Sequence, residues 1–280
     1  MVKYPAFNVG SKDVLILRIV VKVGTSTLTH ESGSIDLKNM DKLARVLSDL
    51  RGDGHEVILV SSGAIAAGTS RLGLSERPKE LRYKQAAAAV GQCGIMHIYD
   101  KLFSEYNCIV AQILLTGDDV QDEIRARHLR STFDALIEMG VIPIVNENDS
   151  VSSDEIETGA HKILGDNDTL SAIVADLCGA DLLRLLSDID GLYNADPRTV
   201  SSAELIHSIH ELTEDIYSMA GGSGTWRGTG GMVTKLNAAR IAMDNGFDMV
   251  IANGSKCELI YDIVSGESVG TRFYGSGKND

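Results

Sequence analysis

Basic residues and cysteine are both scarce in this sequence, and each scarcity argues against a class of protein. Lysine and arginine number 26 against 39 acidic residues, which gives a formal net charge of −13. Nucleic acids and anionic membranes require clustered positive charge, so neither is an expected partner. The four cysteines are widely spaced without a Cys-x-x-Cys motif, which argues against disulfides or a zinc site and predicts buried, reduced thiols in a cytoplasmic protein.

A long apolar run is also missing. The N-terminal candidate, Val14 to Val23, is short and is interrupted by Arg18 and Lys22. It therefore predicts a β-strand, and neither a signal peptide nor a membrane span. Residues 1–13 are expected to form a loosely held extension.

Apolar strand patterns and helical patterns alternate along the rest of the chain. Strands are predicted at Val14 to Val23, Val57 to Val60, Ile109 to Leu115, Val141 to Val145, Leu182 to Leu186, Leu205 to Ile209 and Met249 to Ala252. Helices are predicted from Leu37 to Gly54 with Asp36 as N-cap, and at Ala64 to Gly68, Lys79 to Tyr106, Ile124 to Met139, Asp168 to Leu177 and Met232 to Asn245. The polar segment Ser150 to Ile163 is predicted to be a β-hairpin or a mobile loop. Continuous apolar strands between helices predict an α/β fold with a mainly parallel sheet covered on both faces.

Small, amide and acidic residues follow the predicted strands, and ligands of such sheets bind beyond the carboxyl ends of the strands. The motifs are Lys22-Val23-Gly24-Thr25-Ser26, Ser61-Ser62-Gly63-Ala64, Asn146-Glu147-Asn148-Asp149, Gly165-Asp166-Asn167-Asp168 and Ser187-Asp188-Ile189-Asp190-Gly191. Each motif alone could be a turn or a helix cap. Their coincidence at the strand ends predicts one polar site instead.

A glycine-rich run, Gly228 to Lys235, precedes the last long helical pattern. Glycine lets backbone N–H groups approach phosphate oxygens, and the lysine adds a mobile positive charge. The spacing fits neither a Walker A motif nor a Rossmann fingerprint, so an ordinary loop before a helix remains the alternative. Ser62-Gly63 does not complete a Gly-x-Ser-x-Gly nucleophile elbow.

In this order, the motifs resemble those of the glutamate 5-kinases in the amino acid kinase family, from about Arg18 to Phe273. The resemblance implies a single αβα sandwich domain over residues 14–280 with an open, mainly parallel sheet. Its N-terminal half, about 14–178, would bind the amino acid, and its C-terminal half, about 179–274, would bind ATP. The implied reaction is phosphorylation of the γ-carboxylate of L-glutamate, the first step of proline biosynthesis.

The resemblance also implies roles for individual residues. The catalytic group would comprise Lys22, Lys235 and Asp168, with Asp168 holding both lysines. The glutamate site would comprise Ser62, Asp149 and Asn167. The ATP site would comprise Lys22, Ser187, Asp188, Thr229, Gly230, Gly231, Met232, Val233, Thr234 and Lys235. Mg²⁺ would enter with the nucleotide, and no protein residue is assigned as a metal ligand.

Two other functions fit the same pattern. One is a related kinase for N-acetylglutamate, aspartate, carbamate or uridylate, although Asp149 favours a substrate with a free amino group. The other is a non-catalytic sensor of nucleotides or amino acids, although both lysines and Asp168 are retained.

Three features depart from the family pattern. Arg184 interrupts the run Leu182 to Leu186 and is expected to leave that strand more exposed or locally altered. The insertion-like segment Ile156 to Leu164 lies where proline could act as a feedback inhibitor. The sequence ends soon after Phe273, so a short form without a C-terminal PUA domain is expected. The resemblance further implies a homo-oligomer, either a dimer or a tetramer.

Overall fold

A computed structural model of the chain describes residues 15–30, 32–151, 166–220 and 231–276. The strands are β1 Arg18–Val23, β2 Glu56–Val60, β3 Ile109–Leu115, β4 Val141–Glu147, β5 Leu182–Ser187, β6 Ser208–Ile209, β7 Asp248–Asn253 and β8 Thr271–Phe273. They form one sheet in the order β3-β4-β2-β1-β5-β7-β8-β6. Of the strand pairs in the described ranges, β7 and β8 are antiparallel and the others are parallel. The predicted α/β class with a mainly parallel sheet is confirmed.

Helices cover both faces of this sheet. They are α1 Thr25–Leu28, α2 Leu37–Gly52, α3 Ala64–Arg71, α4 Leu81–Glu105, α5 Gly117–Gln121, α6 Glu123–Glu138, α7 Asn167–Cys178, α8 Glu214–Met219, α9 Met232–Asp244 and α10 Leu259–Val264. In the part of the chain that is described, no helix is long and apolar enough to cross a membrane.

Two hydrophobic cores lie on opposite faces of the sheet, as the alternation of side chains along β1 shows. Val20 belongs to the core that includes residues of α6, α7 and α9. Ile19 and Val21 belong to the core that includes residues of α2, α4 and α10. Because successive side chains of a strand point to opposite faces, a continuous apolar run is what a doubly covered strand requires.

The prediction is least accurate at element ends and for short elements. The first strand starts at Arg18, and the described residues 15–17 before it are not part of the strand. The strand predicted at Leu205 to Ile209 is reduced to Ser208–Ile209. The helices α1, α5, α8 and α10 and the strand β8 were not predicted. Most of the segment Ser150 to Ile163 lies outside the described residues, as does the extension 1–13.

Helices α3 and α4 are in close contact, and this contact fixes the position of residues that line the candidate site described below. A Cβ atom on Gly68 of α3 would collide with the carbonyl oxygen of Ala87, and one on Gly91 of α4 would collide with that of Ala64. Glycine at both positions therefore lets α3 and α4 pack backbone against backbone. This contact positions the first turn of α3, which follows the β2 motif Ser61-Ser62-Gly63.

The prediction of uniformly buried thiols is wrong for one cysteine. Cys108, Cys178 and Cys257 are buried, but Cys93 is exposed on α4. All four are free thiols. The Ala-rich α4 has a low contrast between its faces, so its sequence did not show which side faces solvent.

Arg184 does not expose its strand, and that prediction is also wrong. All six residues of β5 are buried, and Arg184 itself is 0% exposed. The reason is position, because β5 lies inside the sheet between β1 and β7 and its residues belong to the hydrophobic cores on both faces. The three guanidinium nitrogens have no hydrogen-bond partner among the described residues. Burial lowers the pKa of Arg184 to about 9, so the group still carries its charge at neutral pH.

Replacing Arg184 by methionine is expected to stabilise the fold. Met removes a buried charge and its unmade hydrogen bonds, and it can fill a similar space. We expect the free energy of unfolding to rise by about 1–3 kcal/mol, measured by urea denaturation. The matched control is Leu186→Met, which changes a neighbour on the same core face and should cost less than about 1.5 kcal/mol. A larger loss in Arg184→Met than in Leu186→Met would mean that the guanidinium is well solvated or paired.

Candidate active site

A cavity of about 390 Å³ lies at the carboxyl edge of the sheet. Its lining includes Lys22 and Gly24 at the end of β1, Ser62 and Gly63 after β2, Asn146, Glu147 and Asp149 around the end of β4, and Asp166, Asn167 and Asp168 at the start of α7. Four of the five sequence motifs thus meet around one space. The fifth motif, Ser187-Asp188, follows β5 and is not among the lining residues that the structure describes.

Asp168 is the centre of an ion-pair cluster built from three elements. The Nζ atom of Lys22, on β1, lies 2.6 Å from Oδ1 of Asp168. The Nζ atom of Lys235, on α9, lies 3.0 Å from Oδ2 of the same carboxylate. Lys22 is 8% exposed and Asp168 is 4% exposed, so bulk water screens this cluster poorly. Two ammonium groups around one carboxylate leave a net positive charge within an acidic protein.

The ionisation of Asp168 follows from these neighbours. Burial raises the pKa of the Asp168 carboxyl, but the charges and hydrogen bonds of Lys22 and Lys235 outweigh burial and hold the pKa below its usual value. The group is therefore a carboxylate at neutral pH. It holds the two cations in place and is not suited to donate a proton.

A third donor reaches the same carboxylate. The Oγ1 atom of Thr234 lies 2.8 Å from Oδ2 of Asp168 and 2.9 Å from the carbonyl oxygen of Gly231. A hydroxyl has a single hydrogen and can donate it to only one of these acceptors at a time. The family resemblance implied a role in nucleotide binding for Thr234. Consecutive helical residues diverge by about 100°, so their spacing did not predict that both Thr234 and Lys235 reach Asp168.

Asn167 ties the motif after β2 to the motif after β4. Its Nδ2 lies 2.6 Å from Oγ of Ser62, 2.9 Å from the carbonyl oxygen of Ser61 and 3.2 Å from Oδ1 of Asn146. The Nδ2 atom of Asn146 in turn donates to Oε1 of Gln92 at 2.9 Å. Because the described contacts of the Asn167 side chain use its nitrogen, its amide oxygen is the atom that a ligand in the cavity can engage. Gln92 was missed, since nothing in the local sequence of α4 marks it.

Asp166 is a helix cap, which is the simpler of the two interpretations of its motif. Its side chain caps α7 by accepting from the backbone N–H groups of Asp168 and Thr169 at 2.8 and 2.9 Å. Capping of α7 and a contribution to the site do not exclude each other for this motif. By fixing the first turn of α7, the cap also fixes the backbone from which Asp168 projects.

The residues assigned to ATP are described only in part. Thr229 and Gly230 lie outside the described residues. Val233 is buried and Met232 packs against the core on the α7 face, and neither is among the described residues that line the cavity. The Oγ atom of Ser187 donates to Oδ1 of Asp188 at 3.1 Å. No group of three or more His, Cys, Asp or Glu side chains in the described ranges is arranged to hold a metal ion.

Comparisons with known proteins agree with this arrangement. The sequence model of the amino acid kinase family matches residues 17–253. The chain is 54% identical to the glutamate 5-kinase of Clostridium perfringens over 256 residues, which cover 91% of this chain and 94% of that protein. It is 52% identical to the glutamate 5-kinase of Clostridium acetobutylicum over 261 residues, which cover 93% and 96% of the two chains. A longer relative, the glutamate 5-kinase of Caldanaerobacter subterraneus, is 51% identical over 257 residues, which cover 92% of this chain and 68% of that protein.

Proposed function

This chain belongs to the amino acid kinase family, and we propose that it transfers the γ-phosphoryl group of ATP to the γ-carboxylate of L-glutamate. The product is L-glutamyl 5-phosphate, which places the reaction at the first step of proline biosynthesis. The observation that carries the proposal is the Lys22–Asp168–Lys235 cluster at one end of a cavity that Asp149 also lines. Identity above 50% to glutamate 5-kinases over most of the chain supports the same substrate.

The chemistry asks for charge stabilisation and not for a general base. The γ-carboxylate of free glutamate has a reference pKa of about 4.3, so it is already a nucleophile at neutral pH. The difficulty is that one anion must approach another while the transferring phosphoryl group loosens. Lys22 brings positive charge to this point from strand β1 and Lys235 brings it from helix α9, and Asp168 keeps both in place.

The amino-acid end of the substrate requires a different set of groups. Its ammonium needs a carboxylate, and Asp149 supplies one from the cavity wall. Ser62 and Asn167 supply neutral hydrogen-bonding groups beside it. The N-terminal half of the chain, about 14–178, therefore binds glutamate in this proposal.

ATP is bound by the C-terminal half, about 179–274, through Ser187, Asp188 and the run 229–235. Mg²⁺ accompanies the nucleotide and, when bound, neutralises charge on its phosphate oxygens. The described acids fit an ion that is held through the nucleotide and its waters, because two lysines occupy Asp168 and capping occupies Asp166.

We extend the proposal to a cytoplasmic homo-oligomer, a dimer or a tetramer, with proline as a feedback inhibitor. The edge strand β3 supports association, because Ile109 at its start is 68% exposed and an apolar edge strand favours pairing. The segment Ile156 to Leu164, where proline inhibition was expected, lies outside the described residues.

A panel of candidate acids tests the substrate assignment. With Mg-ATP and hydroxylamine as the trap, L-glutamate is expected to give acyl hydroxamate at least about tenfold faster than N-acetylglutamate or aspartate. The physical reason is that acetylation removes the charge that Asp149 pairs with, and an unpaired carboxylate in the site costs more than about 1.4 kcal/mol. Faster turnover of N-acetylglutamate than of glutamate would contradict the assignment. Absence of ADP release with every acid would favour a non-catalytic sensor.

A further inference from the structure

The charged groups around the cavity do not yet account for the whole substrate. Seven ionisable side chains line it among the described residues, namely Lys22, Arg77, Lys84, Glu147, Asp149, Asp166 and Asp168. Asp168 pairs with Lys22 and Lys235, and Asp166 caps α7. Glutamate has two carboxylates, and the proposed function places only the reacting one at the lysine cluster. Its α-carboxylate still requires a partner of positive charge.

One face of α4 runs along the cavity and carries such a charge. Leu81, Lys84 and Gln85 line the main cavity, and Ala88 and Gln92 line a small space next to it. This spacing of three, four, seven and eleven residues from Leu81 follows a single helix face. The positive end of the α4 dipole lies at Leu81, so the helix adds potential of the same sign as Lys84.

This helix face is held in a defined position. Gly91 packs against the backbone of α3, and Gln92 accepts a hydrogen bond from Asn146 at 2.9 Å. Lys84 is half-buried, whereas Arg77 is exposed on the connection between α3 and α4. A partly desolvated cation on a fixed helix discriminates between ligands better than an exposed one, because solvent screens it less.

We propose that Lys84 binds the α-carboxylate of the amino-acid substrate, and that it thereby discriminates against acids that lack this group. Arg77 adds a weaker, screened attraction at the mouth of the cavity. Asp149 holds the ammonium from the β4 side while Lys84 holds the neighbouring carboxylate from the α4 side. The inference rests on the proposed function, because it concerns the same substrate.

The test pairs a variant with a substrate analogue that lacks the same charge. Lys84→Met keeps the apolar stem and removes the ammonium. The analogue is glutamate 1-amide, in which a neutral amide replaces the α-carboxylate and the reacting carboxylate is unchanged. We expect Lys84→Met to raise the KM for glutamate about tenfold, to leave kcat within about twofold, and to leave kcat/KM for the amide nearly unchanged. Lys84→Arg is expected to recover most of the affinity for glutamate.

Lys101→Met is the matched control, because it removes an exposed lysine from the same helix. It should leave both substrates unaffected and should match the thermal stability of Lys84→Met. An equal loss for glutamate and for its amide would overturn the inference, as would a fall in kcat with an unchanged KM, which would place Lys84 at the transferring phosphoryl group. A wild-type enzyme that does not phosphorylate glutamate at all would overturn both the proposed function and this inference.

Discussion

Lys235→Met is expected to lower kcat by roughly two orders of magnitude, the usual cost of losing a positioned electrostatic stabiliser. Methionine keeps much of the length of the side chain but has no charge. The Nζ atom of Lys235 is fixed 3.0 Å from Oδ2 of Asp168, and its side chain is only 13% exposed. A charge held in this way costs little reorganisation when the phosphoryl group begins to move. The KM for glutamate should change little, because Asp149 and its neighbours bind that substrate.

Steady-state kinetics of ADP release would measure the effect. Lys235→Arg is the informative companion, since it keeps the charge but alters its shape, and it should retain more activity than Lys235→Met. Lys256→Met, an exposed lysine in the same half of the chain, should behave like wild type. If Lys235→Met kept its full kcat, Lys235 and the glycine-rich run that precedes it would have no part in phosphoryl transfer.

Asp149→Asn is expected to raise the KM for glutamate by roughly two orders of magnitude. The substitution preserves shape and removes one charge, so a bound ammonium loses its counter-ion. Leaving a desolvated charge unpaired costs roughly 3 kcal/mol or more, and each 1.4 kcal/mol is about tenfold in affinity. The KM for ATP should be nearly unchanged, which separates a specific effect from a misfolded protein.

Glu147→Gln is the matched control for this prediction. Glu147 lies two residues earlier and also lines the cavity, so it is the other carboxylate near the end of β4 that could hold the ammonium. We expect a smaller effect on the KM for glutamate in Glu147→Gln than in Asp149→Asn. If Asp149→Asn weakened ATP and spared glutamate, the turn after β4 would belong to the nucleotide, and the proposed halves of the chain would be wrong.

Much of the fold could be predicted because the signals are local. The bounds of β3 match the predicted strand, Ile109 to Leu115, since the apolar run ends where the ladder ends. Asp36 was predicted as an N-cap, and its side chain accepts from the backbone N–H of Asn39 at 3.0 Å. Strand β1 was predicted to include residues 15–17 because they are apolar too, although they precede the strand and Leu15 is 75% exposed. Short helices such as α5 and α10 were not predicted, because they span too few turns to show a helical period of apolar residues.

Some residues of the candidate site could also be predicted from the sequence, and others could not. The sequence identified Lys22, Asp168 and Lys235 through their motifs, but not the hydroxyl of Thr234 on the same carboxylate. It singled out Asn146 within a motif but not Gln92, which meets Asn146 only when α4 packs beside β4. Contacts between elements depend on packing, and one sequence without its fold contains no local pattern for them.

The sequence by itself therefore determined the six longer strands and the polar residues that follow them, because hydrophobic period and capping act over a few neighbouring residues. Only the tertiary structure decided that β1 and β5 are adjacent, that α7 and α9 approach the end of β1, and that Lys22, Asp168 and Lys235 meet. It also decided that Arg184 is buried, because β5 lies inside a sheet whose two faces are both covered by hydrophobic cores. Strand order depends on how whole faces of the sheet and helices bury apolar area against one another. This burial involves residues from the entire chain, so no local segment determines it.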